Sequence, residues 1–246
     1  MDIYKTVHQT HLYNSFKEAS QFAKSIPDET WDKMSKLLFC NSTSKSVNDT
    51  RIGRVDKNIF QKGQIFYHGE KLNKKTKTYI FDNDRIIFEE MGDGLYITPN
   101  RKVAAFWAGI KGQIFKLKLN TDKIAQVNQK QIEKMVSVIA NNVKKRDSNF
   151  TGQDFNIIIR TLFQKNGYDA AFSHKSMSNG FKNAGTFFDT IIGEPQQQLA
   201  IYNDDVIEVL PKNLLERCSN QMLQIKSYIQ YYKNLLKYMK ENNINT

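Results

Sequence analysis

Proline, cysteine and histidine are scarce in this chain, and each scarcity removes a class of answer. Four prolines in 246 residues argue against a polyproline or collagen-like chain. With 40% hydrophobic and 12% aromatic residues, the composition suits a packed globule instead. The two cysteines, Cys40 and Cys218, form neither a CxxC pair nor a disulfide framework. Four scattered histidines do not assemble the ligand spacing of a structural zinc site, so no metal is expected. No stretch approaches the roughly 18 consecutive apolar residues needed to span a bilayer. The opening MDIYKTVHQTHLYNSF lacks the basic start and apolar core of a signal peptide. A cytoplasmic setting without a membrane partner is the expectation.

What the chain does have is positive charge. Thirty-six Lys and Arg against 25 Asp and Glu leave a net +11, which favours polyanionic partners such as nucleic acid. Solvated lysines in a Lys- and Asn-rich chain account for the same excess equally well. The length fits one main domain with helical additions.

Along the chain, Phe16, Ala19, Phe22 and Ala23 mark a first short helix, and Trp31, Met34, Leu37 and Leu38 a second that starts near Pro27. Residues 41 to 58 are polar and rich in turn formers, a break before the main body. The body opens on the strand Gln64 to His68, with Gly69-Glu70 as a turn. Further strands are expected at 79–81, 85–88, 95–98, 113–119, 168–172, 199–202 and 206–210. Helices are expected at 101–109, 131–143 and 154–164. Strands mixed with helices, without regular alternation, point to an α+β fold. The division is 1–60, an N-terminal helical layer and linker; 61–211, the main domain; and 212–246, a long amphipathic helix.

Three segments carry chemistry together. Phe66-Tyr67-His68-Gly69 is a strand ending in a His-Gly pair. Gly92-Asp93-Gly94-Leu95-Tyr96 enters a second strand, its tyrosine 28 residues beyond the histidine. A small-residue helix follows, with Trp107 eleven residues after Tyr96. This pattern resembles the His-Tyr class of ADP-ribosyltransferases, which includes the poly(ADP-ribose) polymerases and the diphtheria-like toxins, over roughly residues 64 to 210. The resemblance implies a split β-sandwich with flanking helices, NAD⁺ as substrate, and transfer of ADP-ribose. It also implies roles: His68 bonds a ribose hydroxyl, the Gly69 backbone holds the nicotinamide carboxamide, Tyr96 stacks on the ring, and Trp107 closes its other face. The physics fits, since a flat cationic ring is attracted by aromatic faces and a turn glycine permits close approach.

The family's third element is a glutamate opening a late strand, and here the spacing puts Gln198 at that position. A neutral amide still bonds the ribose but supplies no negative charge to a developing cation. Three accounts stand side by side: a natural variant using substrate assistance, a deliberate Glu-to-Gln lesion, or a domain that binds NAD⁺ without turning it over. Glu194 is a geometrically poorer alternative, because Pro195 follows it ahead of the strand.

The preceding loop occupies the family's acceptor-recognition place. Its Phe181, Lys182, Phe187 and Phe188 suit base stacking with phosphate contact, or else fold back onto the core. An RNA or DNA acceptor is favoured over protein, in an intracellular toxin or defence effector. From Leu215 to Met239, apolar residues recur at steps of three and four, a heptad-like stripe. It either packs on the body or faces an inhibitor, a chaperone or a second copy.

Overall fold

In the computed structural model, residues 21–40, 51–55, 59–71, 91–143, 152–173 and 197–243 are described. The strand candidates at 79–81 and 85–88, the loop residues Phe181, Lys182, Phe187 and Phe188, and Glu194 lie outside them.

The described chain is α+β, with two sheets. One has five strands in the order β1 (Gly53–Arg54), β5 (Ile124–Val127), β6 (Ala170–Ser173), β7 (Gln198–Ile201), β3 (Leu95–Ile97). Only its β5–β6 pair is parallel. The other has three antiparallel strands, β2 (Ile65–Glu70), β4 (Gln113–Leu119) and β8 (Ile207–Leu210), with β4 in the middle. Strand pleating gives each sheet two faces. Phe66 and Leu117 of the smaller sheet meet Leu95, Phe172, Leu199 and Ile201 of the larger in one apolar cluster, so the sheets pack face to face.

The larger sheet's outer face carries Ala125, Ala171 and Ala200, one from each of three neighbouring strands. Helices α1 (Asp28–Leu38), α3 (Gln129–Asn142) and α4 (Gly152–Lys165) cover it. Each buries an amphipathic stripe there: Trp31, Met34 and Leu38; Ile132, Met135 and Ile139; Ile158, Ile159 and Leu162. The segment read as a break is partly structural: Ile52 is buried, and β1 extends the sheet through β5. Both β1 and β5 escape sequence patterning, being too short to show a period.

Two further helices flank the smaller sheet. Helix α2 (Arg101–Ala108) starts at the Asn100 cap, whose side chain accepts from the Lys102 amide at 2.9 Å. Helix α5 (Leu214–Glu241) starts in a capping box between Asn213 and Glu216. Polar clamps hold α5 to the body. Arg101 donates to Asn220, Lys116 pairs with Glu216 at 3.1 Å, and the Gln224 amide donates to the carbonyls of Gly109 and Gly112. Among the described residues, no helix is long and apolar enough to cross a membrane.

Candidate functional site

The His-Gly strand does not turn where sequence suggested. β2 continues through Gly69 and Glu70, paired with Ile114 and Gln113 of β4. Gly69 lies against α2: a Cβ built there would sit 1.8 Å from the Ala104 carbonyl oxygen. Glycine is therefore required for strand–helix packing, whatever else its backbone contacts.

The two sheets meet edge to edge at β2 and β3. Tyr67 and Thr98 exchange both backbone hydrogen bonds, at 2.8 and 2.9 Å. Beside them, His68 Nδ1 lies 2.7 Å from the Tyr96 carbonyl oxygen. A carbonyl only accepts, so Nδ1 carries the proton of that bond, and Nε2 is buried.

Tyr96 is fixed by its hydroxyl. It donates to the Gly92 carbonyl at 3.0 Å and accepts from the Met91 amide at 3.3 Å, while its ring packs on the outer-face core. The turn that holds it is itself clamped to α4. Gly92 takes φ +79°, and a Cβ there would meet Asn156 and Ile159. The Asp93 amide donates to the Asn156 carbonyl at 3.0 Å. Asp93 also faces Arg160, 3.4 Å away. Burial raises its carboxyl above the usual range even though Arg160 pulls the other way. Arg160 continues to the Tyr202 carbonyl at 2.7 Å, tying the turn to the end of β7.

Gln198 opens β7. The register pairs Tyr96 with Ala200, so Tyr96, Ala200 and Gln198 share one sheet face, the one that the helices cover. His68, Tyr96 and Gln198 thus fall on three adjoining strands, β2, β3 and β7, but not on one face: Tyr96 and Gln198 share the helix-covered face of Ala200, whereas His68 shares its strand face with Phe66, which packs between the sheets. Trp107 lies on α2, exposed, with its ring edge-on to Phe106 at 5.2 Å.

Sequence reasoning missed Glu70. Because β2 runs on, Phe66, His68 and Glu70 occupy one strand face, and Glu70 is 94% buried, with 6% of its surface exposed. Desolvation pushes its carboxyl up to about 7. The same face carries Gln113 and Phe115 of β4, with the Lys212 ammonium 5.0 Å from the Phe115 ring centre. Lys212 is itself depressed to about 8, chiefly by burial. Lys116 and Lys118 pair with Tyr67 and Ile65 and so belong to the opposite face. The alternation Phe66-His68-Glu70 was the available signal, had Gly69 been read as strand.

Among the described residues, no group of three or more His, Cys, Asp or Glu could hold a metal ion. No family model, curated protein or solved structure matches the chain.

Proposed function

We propose that the chain is an NAD-dependent mono-ADP-ribosyltransferase of the His-Tyr class, acting on a macromolecular acceptor, with nucleic acid favoured over protein. The observation that carries this reading is the seam itself: His68 bound to the strand of Tyr96, with Gln198 opening the adjoining strand. Two packed sheets with helices on the outer face support the ADP-ribosyltransferase-like split sandwich. The net +11 supports the choice of acceptor, and a toxin or defence role is the setting the resemblance implies.

In this reading the Tyr96 ring receives nicotinamide, the Gly69 backbone meets its carboxamide, and His68 Nε2 accepts from a ribose hydroxyl. The ribose–nicotinamide bond breaks with its electron pair leaving on nicotinamide. A bond to the acceptor forms and the acceptor loses its proton. Gln198 orients the ribose without supplying charge, and that feature favours the second reading, an NAD⁺-binding domain with little turnover.

Incubation with adenylate-labelled NAD⁺ and separate RNA, DNA and protein pools tests the proposal. Free nicotinamide and label in nucleic acid are expected, and label in protein alone would redirect the acceptor. If neither the chain nor Q198E consumes NAD⁺, the enzymatic reading is lost.

Two substitutions probe the site. Tyr96→Ala and Trp107→Ala are each expected to weaken NAD⁺ binding by about 1–3 kcal/mol by calorimetry, as lost stacking on a flat ligand requires. Unchanged affinity in both would remove the ring clamp. His68→Ala is expected to lower binding and turnover together, because the ring orients the ribose through a hydrogen bond and forms no covalent bond to it. An ADP-ribosyl-histidine adduct in mass spectra would contradict that role.

A further inference from the structure

Helix α5 turns a mixed side inward, where Leu223 packs on the alanines of α2 and Tyr231 on Phe106, and leaves its apolar heptad stripe outward. Asn220 and Gln224 are its buried residues, at 8% and 2% exposure. Leu215, Met222, Ile225, Ile229, Tyr232 and Leu236 are each 47–80% exposed. An amphipathic helix on a globular body normally does the reverse.

The exposed residues follow a rule. With Cys218 and Met239 they step by three and four through four heptads. Leu215, Met222, Ile229 and Leu236 fall at first core positions, and Cys218, Ile225, Tyr232 and Met239 at the second. Two apolar positions per heptad make a narrow seam, roughly 36 Å long at 1.5 Å per residue. A seam of that width and period is the one another helix covers by knobs-into-holes packing.

Charge selects the helix. One flank of the seam carries Lys226, Lys233 and Lys240, all exposed; the other carries Gln221, Tyr228 and Leu235. A second copy laid antiparallel would set the lysine flanks against each other. Laid parallel, it would set lysines opposite Gln221, Tyr228 and Leu235, with no ion pair gained. Acidic flanks on the partner satisfy all three lysines. We propose that α5 is a docking surface for an acidic amphipathic helix of another protein, which completes a two-stranded coiled coil along Leu215–Met239. The proposal is independent of the NAD⁺ reading.

The probe is a synthetic four-heptad peptide with Ile and Leu at the core positions and Glu on both flanks. Its control has the same core and Lys flanks. The full chain is expected to be monomeric by light scattering and to bind the acidic peptide one to one. That binding should weaken with added salt and exceed the control's by about tenfold or more. Ile225→Lys and Ile229→Lys are each expected to abolish binding with unchanged circular dichroism and unfolding midpoint, because both side chains are exposed. Equal binding of the two peptides, or binding of neither, would overturn the proposal. So would a homodimer disrupted by the same substitutions, or adsorption to phosphatidylserine vesicles in place of peptide binding.

Discussion

Gln198→Glu is expected to raise NAD⁺ cleavage by about 10²- to 10³-fold, the range lost when one well-placed electrostatic partner of a transition state is removed. NAD⁺ affinity should barely change. Gln and Glu share shape, and both accept a hydrogen bond from a ribose hydroxyl, so the ground state hardly distinguishes them. Charge grows on the ribose only as nicotinamide departs, and only a carboxylate opposes it. β7 tolerates the exchange sterically, since Gln198 is half-buried at the first position of the strand. Single-turnover rates and calorimetry on the two forms check the split between rate and affinity. A high rate with Gln198 that the carboxylate does not increase would assign the stabilising role to the substrate itself. Activity that survives Gln198→Ala unchanged would remove the position from the site.

Glu70→Gln is expected to stabilise the fold at alkaline pH relative to acidic pH. The carboxyl is raised in the folded chain to about 7, from an ordinary 4.5. A group raised in this way adds stability that is fully present below the unfolded value and is lost as pH climbs through the folded one. The gap corresponds to about 3 kcal/mol. From about pH 5 to about pH 8, the unfolding free energy of E70Q minus that of the wild type should therefore rise by about 2–3 kcal/mol. Urea unfolding at the two pH values measures it. A pH-independent difference would mean that Glu70 ionises as freely as a surface acid. The same titration suits proton transfer near neutrality, so a pH–rate profile whose limb near 7 vanishes in E70Q would tie this acid to the chemistry.

The long elements of this fold were legible because they carry a period. The stripe from Leu215 gave α5 within a residue of its start, and β4 matches its expected span from Gln113 to Leu119. β1 and β5 were not legible. Gly53-Arg54 and Ile124–Val127 become strands through pairing with distant partners, which no local pattern records. For the same reason the Asp93–Arg160 clamp was invisible, its members being 67 residues apart. The side of α5 that faces the body was also hidden. Periodicity showed an apolar stripe, but Asn220 and Gln224 won the inward face through specific hydrogen bonds to Arg101, Gly109 and Gly112. Of the proposed site, the sequence picks out His68, Tyr96 and Gln198, and these fall on adjoining strands. Glu70 was passed over because acids are seldom buried and a His-Gly pair reads as a turn.

The contact between Gly69 and Ala104 bears on how mutational maps of this chain should be read. Any side chain at residue 69 must displace the main chain of α2, and α2 supplies Arg101, which holds α5. One methyl group at Gly69 would therefore loosen the small sheet, its helix and the C-terminal arm at once. Every variant at that position should score as null in an activity screen, and a null there reports on architecture before it reports on nicotinamide. His68 and Tyr96, whose truncation leaves space where a Gly69 substitution leaves none, are the positions from which chemistry is to be learned.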